Sequence, residues 1–398
     1  RSAEQMRFVG APTPLKMACG ENPKRTYGKK GGPNTRMGNV ARLRAAFQQA
    51  REYQRGWQRH SDKKKKWEEK RAARCKEPGG EADKSDPPDP PKRDLAMETL
   101  VGVLEGRVRV HWHCYRADEM LNMLALAREH GFRIQAFHHA VESYKIRDAL
   151  AEAGTAVVTW VNWWGFKIEA YDTIPENAAL VSDAGGLAAL HSDSPMVIQR
   201  LNQEAALAYH HARRMGLTFG RDDAIKLVTA NPARIIGVFE QTGSIEAGKM
   251  ADLVLWDGDP LSVYSRSEKV FVDGSLVFDR TVPERARRPS DFEVELVPRP
   301  GPLAAVAQTP PPATLPRDWP AAPVSPLRPV PGRTGRIAIV NARVETMVGP
   351  TIERGTVVIE AGRVVAVGPG ISVPATARVI EASGKTITPG LIAADSTL

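Results

Sequence analysis

Apolar residues recur along this chain at two different periods, and the change from one to the other divides it. Val40, Leu43, Phe47, Ala50, Tyr53 and Trp57 follow one another at steps of three and four, the pattern of a helix that buries one stripe. Beyond Trp57 the stripe fades into charged residues, and Pro87-Pro-Asp-Pro-Pro91 halts any helix, so about 54–94 reads as an insertion. A helix capped by Asp94 follows, with Met97, Leu100, Val101 and Leu104 on one face and Gly106 as its stop.

Strands and helices then alternate. Strand 108–113 leads to helix 117–130, strand 132–138 to helix 145–152, and strand 155–161 to a further strand running into Ser192-Asp193 and to helix 199–215. Gly131, Gly154 and Gly216 stop the helices. This spacing implies βαβ units and a parallel sheet. Upstream, the turn formers around Pro14–Arg25 and Gly31–Asn34 predict a short strand ending near Lys16 to Ala18, followed by a long functional loop.

From Gly243 the period becomes two. Ile245–Trp256 and Lys269–Phe278 read as strands, the second folded at the hairpin dipeptide Asp273-Gly274. Residues 283–334 are proline-rich and read as a semi-rigid linker, and 335–398 are β again. The expected class is α/β: a partial (β/α) barrel over 1–240, a β-sandwich portion over 241–282, and a second β portion after the linker.

Length and composition narrow the rest. The 398 residues suffice for two or three domains with a well-buried core, and no apolar run approaches the roughly 18 residues that span a bilayer, so a soluble protein with no membrane partner is expected. Cys19, Cys75 and Cys114 are an odd count without paired spacing, which favours reduced thiols over a disulfide framework or a Cys-only zinc site. The net charge of +9 is local: residues 1–94 hold 24 of the 55 Lys+Arg against 12 of the 46 Asp+Glu. Its densest part, Lys63–Lys66 with Lys70, Arg71 and Arg74, is interleaved with glutamates and reads as a solvated helix face, so no nucleic-acid partner is expected. Phosphate binding there is the weaker alternative and would fall steeply with salt. No signal-peptide pattern follows Arg1, and the compartment is not legible.

Three strand ends carry candidate chemistry: Val108–His113, Phe132–His139 and Gly186–Asp193. In a parallel barrel these ends converge on one mouth. His113 and His139 are the first candidates for metal ligands, with His111 and His138 as alternates; alternation points His111 to the side of His113 and His138 away from His139. Asp193 can ligate and accept a proton from water, or merely cap the helix before Pro195. Lys16 at a strand end and Glu21 in the adjoining loop complete the metal candidates, and both also fit as surface charges. Trp160-Val-Asn-Trp-Trp-Gly-Phe166 follows its strand towards the same mouth, either lining a substrate pocket or packing a core. Tyr144, Trp160, Trp164 and Lys167 are the substrate-binding candidates.

These residues resemble the metal-dependent amidohydrolase superfamily, in particular its imidazolonepropionase-like and prolidase-like branch. Gly243-Ser-Ile-Glu-Ala-Gly-Lys-Met-Ala-Asp-Leu-Val-Leu-Trp-Asp-Gly-Asp-Pro260 carries the resemblance most specifically, and Thr229-Ala-Asn-Pro-Ala233 adds to it. The resemblance implies a TIM-like barrel with a composite β-sandwich, metal ligands at His113, His139 and Asp193, and proton transfer by Asp193. Lys16 is similar to a fourth-strand lysine that some members carboxylate, and Glu21 lies in a Gly-Glu-Asn-Pro-Lys-Arg phrase found in one branch.

Two departures stand out. The first-strand His-x-His is absent from the first unit, and where Pro389-Gly-Leu-Ile should run into such a motif, Asp395 and Thr397 replace the histidines. The chain thus resembles the back of one amidohydrolase joined to the front of a second, or else a permuted unit lacking two ligands. The resemblance implies hydrolysis of a carbon–nitrogen bond in a cyclic amide or peptide-like small molecule, with one or two divalent ions, zinc first among them. The alternative is a catalytically degenerate binding or scaffold protein, and a homo-oligomer is left open.

Overall fold

A computed structural model describes residue 8 and residues 10–74, 85–194, 197–282 and 335–394. The expected Pro-rich linker and the substituted positions Asp395 and Thr397 lie outside the described residues, as does Cys75.

The first layer is a five-stranded parallel sheet: β1 (Thr13–Ala18), β2 (Val108–Cys114), β3 (Ile134–His139), β4 (Ala156–Thr159) and β5 (Ala188–Leu190), hydrogen-bonded in that order. Helices return the chain between neighbours; β4 and β5 are buried on both faces, which is why they read as continuous apolar runs, whereas edge strand β1 is exposed or half-buried. Phe137, Val157, Leu190 and Leu227 belong to one core cluster with Trp112 and Met120.

The helices follow their capping signals. The Asp94 carboxylate accepts the backbone N–H groups of Ala96 and Met97 and opens the helix Leu95–Leu104, while Gly131 at φ 70° closes the helix Ala117–His130. One expectation gives way and another holds. The segment after β1 is helical, α1 (Glu21–Tyr27), entered through Gly20 at φ 80°. The helix carrying the Val40–Trp57 stripe, α2 (Arg36–Arg74), runs 39 residues without a break at the charged stretch. Lysine, glutamate and alanine are good helix formers, and Lys64–Glu68 and Lys65–Glu69 pair one turn apart at 3.8 and 4.0 Å, so loss of the apolar stripe ends burial but not the helix.

The expectation of reduced thiols also fails, because Cys19 and Cys114 form a disulfide. Parallel pairing sets Ala18 opposite His113, so the next residues of the two chains meet with Cα atoms 5.3 Å apart, within bridging range. The bridge joins residues 95 apart in sequence, which spacing alone cannot reveal.

The second layer is an eight-stranded sheet in which β6 (Leu253–Trp256), β7 (Ser267–Val272) and β8 (Ser275–Asp279) share a ladder with β9 (Arg336–Val344), β10 (Ile352–Glu360), β11 (Arg363–Gly368), β12 (Arg378–Glu381) and β13 (Thr386–Pro389). The joint is β13, antiparallel to β6 and parallel to β9, so the middle and carboxyl β portions form one layer around a common core that includes Leu253, Phe271, Ile339 and Ile387. Asp273 and Gly274 both take positive φ, as a type I′ hairpin turn requires. The class is therefore mixed α/β, with an open parallel sheet beside a largely antiparallel one.

Candidate active site

All five parallel strands point their carboxyl ends to one edge, and the chain places polar side chains there. β1 delivers Lys16, β2 His111 and His113, β3 His138 and His139, and the segment after β5 His191 and Asp193. The sheet register aligns Lys16 with His111 and His113 with His138.

The histidines divide between two spaces. His111 Nδ1 and His138 Nε2 lie 2.8 Å apart and line a cavity of about 1340 Å³. His113 and His139 instead line a pocket of about 390 Å³ at the strand ends, together with Asp193 and Lys167. Lys16 lines both. At His139 the backbone turns to φ 70°, out of strand geometry, and this carries its ring to the mouth beside His113.

Within the smaller pocket the His113 and His139 ring centroids are 4.3 Å apart at 67°. His139 Nδ1 lies 3.7 Å from Asp193 Oδ2. Tyr115 stacks on His139 at 5.1 Å and 12°, and Trp160 and His191 approach the same ring at 5.2 and 5.0 Å. His139 is only 3% exposed. Burial, and then the neighbouring His191, His113 and Lys16, hold its pKa well below the ordinary histidine value, so its imidazole is neutral.

A buried ionic network supports the rim. Glu169, 2% exposed, meets the Lys167 ammonium at 2.9 Å and the Arg36 guanidinium at 3.3 Å, and accepts the Glu21 backbone N–H at 3.0 Å. Arg36 also reaches Glu119 at 3.2 Å; burial raises the Glu119 pKa, and Arg36 opposes it. On the other side, buried Glu204 accepts the N–H groups of Val161 and Asn162 at 2.8 and 3.2 Å, fixing the start of the loop after β4.

The structure thus brings Lys16, His113, His139, Lys167 and Asp193 to one pocket. Glu21 does not line it and meets the rim network only through its backbone. Trp160 is buried behind His139, Trp164 is 64% exposed, and neither is in the pocket wall. Tyr144 stands apart as well, its hydroxyl donating to the Asp172 carbonyl at 3.2 Å. Sequence reasoning missed Asn22, Arg25 and Tyr115 in the wall, whereas Phe166, at the end of the aromatic stretch read as possible pocket lining, does line it. Asn22 and Arg25 lie in the Gly-Glu-Asn-Pro-Lys-Arg phrase, which was the available signal for them.

The donor chemistry suits a divalent ion. Neutral imidazole is the ligating form of histidine, and His139 Nδ1 is buried without a hydrogen bond among the described residues. Among those residues, however, no group of three or more His, Cys, Asp or Glu side chains is arranged to hold a metal ion.

Comparison with known proteins agrees with the fold. Residues 168–280 match the amidohydrolase family. The chain is 34% identical over 275 residues to the amidohydrolase tasK of Hapsidospora irregularis, covering 67% of this chain and 26% of that protein. It is 27% identical over 175 residues to imidazolonepropionase of Thermoplasma volcanium, covering 42% of this chain and 41% of the relative. The chain therefore spans well under two thirds of either relative's length. The crystal structure of an amidohydrolase from Thermotoga maritima MSB8 superposes with a TM-score of 0.53 at 34% identity, over 67% of this chain and 63% of that one.

Proposed function

From a chain whose matched region is amidohydrolase sequence, we propose a hydrolase that cleaves a carbon–nitrogen bond in a cyclic amide or peptide-like small molecule. The observation that carries this reading is the convergence of Lys16, His113, His139 and Asp193, from separate strand ends, on one pocket. A divalent metal, zinc first among the candidates and one or two ions in number, would be held by the His113 and His139 imidazoles, the latter neutral, with the Asp193 carboxylate, and Lys16, if carboxylated, would be a further ligand. Such an ion would supply Lewis acidity, lowering the pKa of water and polarising the scissile carbonyl.

The protein's own groups do the remaining work. Asp193 takes a proton from the attacking water on its carboxylate and returns it to the leaving nitrogen, from a position 3.7 Å from His139. Tyr115 and Phe166 wall the pocket with apolar surface, and Lys167, Arg25 and Asn22 orient the substrate from the rim.

The test is metal content and hydrolysis of a panel of cyclic amides and dipeptides by the purified chain, alongside His139→Ala and Asp193→Asn. Copurifying zinc, manganese or iron, with turnover lost in both variants, supports the reading. The second reading, a binding or scaffold protein, draws on the lack of a three-donor arrangement among the described residues, and predicts ligand binding without turnover, insensitive to chelators.

A further inference from the structure

The outer half of α2 carries more positive charge than its own acids balance, and that charge is ordered. At about 100° per residue, Arg55, Arg59, Lys63, Lys66 and Lys70 fall within about 80° of arc on one side of the helix. Every residue between 55 and 70 on that arc is basic, and all of these side chains are exposed. With a rise of roughly 1.5 Å per residue, the stripe runs about 22 Å.

The acids that interleave with the lysines in sequence are engaged off this face. Glu68 and Glu69 pair with Lys64 and Lys65 at 3.8 and 4.0 Å, and the Asp62 carboxylate accepts from Gln58 at 3.0 Å. None of the stripe cations forms an ion pair among the described residues. Another side of the helix is held by the chain itself. His60 Nε2 lies 3.1 Å from the Pro88 carbonyl oxygen, Trp67 Nε1 donates to the Ser85 carbonyl at 3.0 Å, and the Tyr53 hydroxyl accepts from the Asp94 N–H at 3.3 Å. Residues 85–94 thus lie along α2 and brace it, while the basic arc, turned about 100° away, stays open to solvent.

We propose that this arc is a docking face for the phosphate backbone of a double-stranded nucleic acid, bound without regard to sequence. Cations repeating about once per helical turn on a braced rod complement a line of phosphates. No apolar, aromatic or amide side chain stands among them, so the face has nothing to enter a bilayer or to read base edges. It is separate from the strand-end pocket, whose lining includes none of these residues.

Fluorescence anisotropy of a labelled random-sequence duplex of about 20 base pairs, titrated with the full chain between about 50 and 200 mM NaCl, tests this. Five phosphate contacts predict a slope of log K against log salt near −4.5, and so an affinity about 500-fold lower at the higher salt. Lys63→Gln/Lys66→Gln removes two stripe charges and is expected to bring the slope to about −2.7. Lys64→Gln/Lys65→Gln removes the same charge from paired positions off the arc, and is expected to leave the slope within about 0.5 of the unaltered protein's. Lysine and glutamine are similar helix formers, so both variants should keep the helix, which far-ultraviolet circular dichroism checks. No binding at the lower salt, a slope for the unaltered protein shallower than about −3, or equal effects of the two double variants would each overturn the proposal. So would tighter binding of poly-L-glutamate or of phosphatidylcholine/phosphatidylglycerol vesicles than of the duplex, at equal concentrations of negative charge; those results would assign the face to an acidic protein or to an anionic lipid surface.

Discussion

Cys19 and Cys114 are bonded across the carboxyl ends of two adjacent parallel strands, directly beside the residues that carry Lys16 and His113 into the pocket. The Cys19 N–H donates to the His113 carbonyl at 2.9 Å, so backbone ladder and covalent bridge clamp the same point. Reduction is expected to lower stability by about 2–4 kcal/mol, the usual contribution of a bridge closing a long loop. Thermal unfolding with and without reductant checks this. A Cys19→Ala/Cys114→Ala variant should show the lower Tm in both conditions, and an unaltered protein indifferent to reductant would contradict it.

Gly20 is the hinge into α1. Its φ of 80° is strained for a residue with a side chain, and an added Cβ would stand 2.7 Å from Glu169 Oε2. Gly20→Ala should therefore cost about 1–3 kcal/mol and displace the rim carboxylate. Chemical denaturation measures the first effect, and a changed affinity for the substrate panel the second.

Loss of a buried acceptor should be felt at Glu204. Glu204→Gln retains an oxygen for the Val161 and Asn162 N–H groups, and because burial raises the carboxyl pKa, the neutral amide should be no less stable near neutral pH. Glu204→Ala leaves both donors unsatisfied at about 1–3 kcal/mol each, which denaturant midpoints of the two variants will separate.

Acid sensitivity has a readable contributor in the second sheet. Burial alone would raise the Asp279 pKa, but Lys269 and Thr281 outweigh it and bring it to about 2. A carboxylate depressed in the folded state adds stability above its ordinary pKa of 3.8, and that stability disappears as pH falls towards about 2. Asp279→Asn should be less stable than the unaltered protein at pH 7, with the gap closing in acid.

Much of this arrangement is legible in the sequence because local rules and the fold agree. Asp94, Gly131 and Asp273-Gly274 each do what their chemistry predicts, and His113, His139 and Asp193 meet because parallel strands share an edge. The failures have physical causes. The Cys19–Cys114 bridge depends on register between strands far apart in sequence. Alternation assigned His138 away from His139, and the two do line different spaces, but His111 shares the space of His138, because pocket depth and the turn at His139 matter as well as strand side. Asn22, Arg25 and Tyr115 stayed hidden because a rim is assembled from segments that periodicity treats as connections.

The central claim is that the pocket of His113, His139 and Asp193 hydrolyses a carbon–nitrogen bond with a divalent metal. Its most direct test is amide hydrolysis by the purified chain, measured before and after chelation and again after adding back zinc, with metal content determined at each stage. The account predicts activity that falls on chelation, returns with metal, and is absent in His139→Ala. Turnover unaffected by chelation and retained in His139→Ala would contradict it.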